Sequence, residues 1–142
     1  MFRYAFLFVF SIAYMKASAY LPPPEKLLAE KILQVTVDET GTIAVGRDTV
    51  GSDNLARYIQ KRLFKSYMGT GLMHSKIKFS KVNENVPDMV IQVVLEEIKQ
   101  GQKRALTDLC LQKYKNFFSS IDKRKQDKLR KQFPVLFQTD YL

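Results

Sequence analysis

Apolar and polar residues alternate from Ile32 to Val37, which places Leu33, Val35 and Val37 on one face of a strand. The turn Asp38-Glu39-Thr40-Gly41 follows, and a second alternation, Thr42-Ile43-Ala44-Val45, closes at Gly46. Asp and Gly tolerate the unusual backbone angles of a tight reversal, so the pair of runs predicts a β-hairpin. The period then changes. Leu55, Ile59 and Leu63 recur at helical spacing and predict a helix over Asp53–Phe64, with Gly69-Thr70-Gly71 as a turn after Tyr67. A short strand is expected at Lys76–Phe79. Pro87 then opens a second helix over Asp88–Gln100, for which Gly101 is the natural stop.

Helical spacing returns in the last third. Leu106, Leu109, Cys110, Phe117 and Ile121 fall near one face, and Leu129 and Phe133 extend the pattern through a further helix that Pro134 should end. Ser119 or Ser120 is placed to cap that helix, because a side-chain oxygen can accept its free amide hydrogens. The final run, Val135-Leu136-Phe137-Gln138, either adds a strand or packs as an apolar tail. The expected architecture is α+β: a two-layer sandwich of a small mixed sheet and two helices, with an appended C-terminal helical pair. Val35, Val37 and Ile43 should face Leu55, Ile59, Val90 and Val94 across the core.

The first residues follow another logic. Arg3 precedes an apolar run from Tyr4 to Met15, broken only by Ser11, and Lys16 and Ala17-Ser18-Ala19 follow. A membrane-crossing helix needs ~20 apolar residues, and this run is shorter. A signal peptide over residues 1–19, cleaved near Tyr20, is therefore the favoured reading. An uncleaved anchor and a cytosolic hydrophobic N-terminus are the alternatives. No cysteine follows the small residues, so a lipoprotein is not supported. Residues 20–31 read as a linker, 32–102 as the α+β domain and 103–142 as a basic helical extension.

Composition adds one asymmetry. The 142-residue chain carries 23 basic and 14 acidic residues, a formal charge of +9. From Lys103 to Lys131 there are ten basic residues against Asp108, Asp122 and Asp127, so the excess belongs to the C-terminal segment. Its ordinary meaning is a solvated helix face. The alternative is a docking face, Lys123, Arg124, Lys125, Lys128, Arg130 and Lys131, for an anionic partner. Tyr114, Phe117 and Phe118 look like packing residues, and no nucleic-acid-binding signature accompanies them.

Chemistry is sparse. Cys110 is the only cysteine and His74 the only histidine. The first reads as a small buried apolar residue and the second as a surface or loop residue, because neither has a second Cys or His to build a metal site or nucleophile. Glu96 and Glu97 are adjacent on a helix, about 100° apart, and read as a solvated edge beside Lys99. There is no G-x-S-x-G, phosphate-binding loop or Rossmann glycine pattern. No cofactor is expected.

Taken together, the hairpin with Asp38 and Gly41, Leu55 in the first helix, and Val86-Pro87 leading into Met89-Val90-Ile91-Gln92-Val93-Val94-Leu95 resemble the periplasmic domain of the ExbD/TolR family. Leu21-Pro22 also looks like the Leu-Pro element that follows the membrane helix of that family. The resemblance covers about half the chain and carries no catalytic fingerprint. It implies a non-enzymatic envelope protein, an accessory of an energy-coupled biopolymer transport or envelope-maintenance complex. It further implies protein partners, a homodimer and, as in some members, contact with cell-wall polymer. Leu21 and Pro22 join the six cations as candidate partner-binding residues. Two departures stand out. The family's membrane helix carries an aspartate, whereas no acidic residue lies between Met1 and Leu21, and the family's domain tends to end with a strand soon after its second helix, where this chain continues through residues 103–142. The competing reading is a stand-alone secreted binding module whose basic helices engage anionic lipid, cell-wall polymer or an acidic protein. Both readings place the protein in the periplasm or outside the cell; the anchor alternative leaves it on the inner membrane facing the periplasm.

Overall fold

The computed structural model describes residues 32–142. The expected signal peptide, the expected linker and Leu21-Pro22 lie outside the described residues.

Strand β1 (Ile32–Val37) buries Leu33, Val35 and Val37 and turns Gln34 and Thr36 to the other face. The turn after it is held by Asp38, whose Oδ1 accepts hydrogen bonds from the Thr40 amide at 2.9 Å, the Thr40 hydroxyl at 2.6 Å and the Thr42 amide at 2.9 Å. Gly41 takes the positive φ of 80° that this reversal requires. Strand β2 (Ile43–Val45) pairs antiparallel with β1, Val35 opposite Val45 and Val37 opposite Ile43. A second reversal at Gly46 leads into β3 (Asp48–Val50), which the sequence pattern did not predict because Val50 is its only apolar residue and so no alternation marks it. Strand β4 (Lys76–Lys81) joins the free side of β1 in parallel, so the sheet order is β3-β2-β1-β4. The result is a mixed sheet layered against helices, an α+β fold as expected.

Helix α1 (Ser52–Thr70) is longer than predicted. Gly69 and Thr70 belong to it, and only Gly71, with a φ of 72°, ends it by donating its amide to Tyr67 O at 2.7 Å. Leu55, Ile59 and Leu63 form its buried stripe. Helix α2 (Asp88–Tyr114) starts after Pro87 but does not stop at Gly101. The reason is packing. A Cβ at position 101 would sit 2.6 Å from Ile59 Cβ and 2.8 Å from Ala56 O, so glycine permits the close crossing of α1 and α2. Helix α2 therefore runs across the expected boundary at residue 102. It ends instead at Lys115, whose φ of 54° is left-handed, so Phe117 and Ile121 lie beyond it rather than on it. Ile121 is still buried, whereas Phe117 is 56% exposed.

Helix α3 (Lys123–Gln132) follows a short 3-10 turn at Phe118–Ser120. Its cap is Asp122, not Ser119 or Ser120, which belong to that turn. The helix ends before Pro134, as predicted, and Pro134–Phe137 forms a second 3-10 turn rather than a strand. The core is continuous from Leu33, Val35 and Ile59 through Ala105, Leu109 and Cys110 to Leu129, Phe133, Val135 and Tyr141.

Candidate functional site: the basic face of the C-terminal helix

Six of the ten residues of α3 are cations, and a single apolar residue, Leu129, fixes its orientation by being fully buried. Asp122 starts the helix: its Oδ1 accepts from the Lys125 amide at 2.9 Å and its Oδ2 lies 3.2 Å from Lys125 Nζ. These bonds, the backbone amide first, hold the Asp122 carboxyl below its ordinary pKa.

The structure divides the predicted cations into two groups. Lys125 also lies 5.7 Å from the Tyr114 ring centre, and Arg130 packs over both Phe137 at 4.8 Å and Phe118 at 5.4 Å. Lys113 from α2 does the same over Phe133 at 5.6 Å while donating to Gln132 Oε1 at 3.2 Å. These cations fasten α3 to α2 and the tail, because an aromatic face attracts positive charge. The second group, Lys123, Arg124, Lys128 and Lys131, lines one open surface with Asp127 and Gln132. All four are exposed, and none of their side chains has a hydrogen bond, ion pair or ring contact among the described residues. Helical spacing explains the division: Arg124, Lys128 and Lys131 follow one another at i+4 and i+3, on the side away from Leu129.

A polar fastening that the sequence pattern did not single out lies behind α3. Gln102, only 3% exposed on α2, donates to Val135 O at 2.6 Å and to Gln138 O at 3.2 Å. Tyr141 donates its hydroxyl to Gln102 Oε1 and to Gln138 O. The Gln138 amide in turn accepts from Ile77 N at 2.8 Å and donates to Ile77 O at 2.7 Å, as a neighbouring strand's peptide would. Tyr141 O accepts from Phe79 N at 2.8 Å. The tail thus covers the outer edge of β4, which would otherwise present unpaired backbone groups. The available signal was the polar Gln102 on the apolar stripe of α2.

The remaining candidates are ordinary. Cys110 is fully buried, and burial pushes its thiol pKa up, which disfavours the reactive thiolate. His74 is a loop residue as expected, but at 5% exposure it is buried rather than on the surface. Glu96 accepts from Gln100 at 3.0 Å, whereas Glu97 is half-buried and accepts from the Ala56 amide at 3.3 Å, so only Glu96 is a solvated edge. No group of three or more metal-ligating side chains occurs among the described residues. No helix among them is long and apolar enough to cross a membrane.

No family profile, curated protein or solved structure matches this chain.

Proposed function

We propose that this protein is a non-enzymatic cell-envelope component resembling the ExbD/TolR proteins, exported through its N-terminal segment and acting through protein contacts. The observation that carries the reading is the order of elements: a hairpin turning on Asp38 and Gly41, the short strand β3, then α1, then β4, then a helix entered through Val86-Pro87. Those are the residues on which the resemblance rests. In this role the protein is an accessory of an energy-coupled transport or maintenance complex, with Leu21-Pro22 and the four outward cations of α3 as contact residues. It does not itself carry protons, since coupling at membrane depth needs an ionisable group and no acidic residue lies between Met1 and Leu21. Cross-linking the tagged full chain in the envelope fraction, followed by isolation and intact-mass measurement, tests this. The expected result is a chain beginning near Tyr20, held in a complex with a multi-span membrane protein. A full-length chain recovered from the cytosol without partners overturns it.

A second reading has its own support. The four exposed cations of α3 lack partners among the described residues, which favours a binding module that engages an anionic ligand. Release from cells as a soluble monomer that still binds polyanions would favour this reading over the first.

A further inference from the structure

We propose that the outward face of α3 is a docking surface for an anionic lipid bilayer, with Lys123, Arg124, Lys128 and Lys131 meeting the headgroups. The inference rests on the binding-module reading and names its ligand.

Three observations carry it. The first is the division of cations: Lys113, Lys125 and Arg130 are engaged with rings and neighbours, while the four outward ones are not, and Asp127 is the sole acid among them. The second is a local conflict. Lys123, Arg124 and Lys125 occupy the first turn of α3, at the positive end of its dipole, where anions are favoured and cations are not. The Asp122 carboxylate caps that end and pairs with Lys125, which leaves the Lys123 and Arg124 side chains without a counter-charge among the described residues. A face that merely needed to be soluble could carry carboxylates there at lower cost, so the arrangement points to a ligand that requires positive charge.

Shape is the third. The four cations stand on one helix, spread over ~12 Å of its axis at 1.5 Å per residue. Only residues of α3 line this open surface, so no second element faces them, which suits a plane of charge better than a strand that must be gripped. The nearby rings of Phe118, Phe133 and Phe137 are occupied by Arg130 and Lys113, so they offer no stacking platform for nucleobases. Leu129, the helix's one apolar side chain, faces inward. Adsorption is therefore electrostatic, at headgroup level and without insertion. Each cation held near an anionic leaflet strengthens such binding on the order of fivefold.

The test is cosedimentation of the full chain with vesicles rich in phosphatidylglycerol and with pure phosphatidylcholine vesicles, each across a salt series. Parallel arms use soluble polyphosphate and purified cell-wall sacculi. The compared variants are Arg124→Gln with Lys128→Gln, and a charge-matched control, Lys61→Gln with Lys65→Gln, both exposed on α1. The wild type should prefer anionic vesicles, and rising salt should erase the preference. The α3 variant should bind them roughly 25-fold more weakly, while the control variant binds as wild type and both keep the wild-type melting temperature. Equal loss in the two variants, or full binding by the α3 variant, overturns the docking face. Binding to polyphosphate or sacculi without preference for anionic vesicles overturns the lipid assignment but leaves the binding-module reading standing. No binding in any arm overturns both.

Discussion

Four positions show how unequally single residues weigh on stability here. Alanine usually stabilises a helix interior relative to glycine by ~1 kcal/mol. At position 101 the added methyl would press on Ile59 Cβ at 2.6 Å and on backbone at Ala56 O. Overpacking of that kind costs about 1–3 kcal/mol, so Gly101→Ala should lower the thermal midpoint instead of raising it. Ile59→Ala, which opens a cavity at a fully buried site, should cost ~2–5 kcal/mol. Gln34→Ala, on the opposite sheet face, loses one 2.9 Å hydrogen bond to Ser80 and should cost no more than ~1.5 kcal/mol. Denaturant melts of the three variants check that order. Asp38 makes a different kind of prediction. The Thr40 hydroxyl bond, followed by the backbone bond from Thr42, depresses its pKa below the ordinary value. Stabilisation by a depressed carboxyl is present above the unfolded pKa and lost as pH falls through the folded one. The gap in melting temperature between wild type and Asp38→Ala should therefore be constant near neutrality and close in strong acid. A gap unchanged to the lowest pH at which the protein folds would contradict this account.

At the scale of elements, the sequence was most legible where one face is buried and the other solvated. Alternation located β1 and β2, and the Leu55, Ile59 and Leu63 stripe located α1, because burial imposes the period directly. The misread boundaries were those where a residue serves a distant partner. Gly101 resembles a stop because glycine is a poor helix former, yet its role is set by α1, forty-two residues earlier. Ser119 and Ser120 are good caps in isolation, but the chain reverses through a 3-10 turn first and Asp122 reaches the amide. The basic face was legible as composition, while its division was not, since ring positions depend on how α2, α3 and the tail pack. The tail fastening is the clearest non-local feature and is open to a direct test. Tyr141→Phe removes the donor to Gln102 Oε1 and leaves a buried acceptor unpaired, at a cost of about 1–3 kcal/mol. The Ile77 and Phe79 amides, which bond to Gln138 and Tyr141, should then exchange with solvent faster, while the Val35 and Val37 amides change little. Unaltered exchange at Phe79 would mean that the tail holds the β4 edge without Tyr141.

The whole molecule raises the question of whether residues 103–142 unfold with the sheet or before it. The boundary expected at residue 102 falls inside one uninterrupted helix, and Ala105, Leu109 and Cys110 on its far half join the same core as Leu33 and Ile59. A break there would expose that apolar surface and free Gln102 from Val135 and Gln138. Burial of an ordinary aliphatic side chain contributes ~1.5–3 kcal/mol, so partial opening gives up several such contributions at once while regaining the entropy of only part of the chain. Both halves should therefore melt in one transition. Cys110 provides a probe that needs no added label, since it is the chain's single thiol and is fully buried on the far side of the expected boundary. Its reaction with a thiol reagent across a urea series should follow the loss of sheet signal measured by circular dichroism, with the same midpoint and slope. Reaction of Cys110 at urea concentrations where the sheet is still intact would show that the basic segment opens on its own, and α2 would then have to be described as two helices that share an axis.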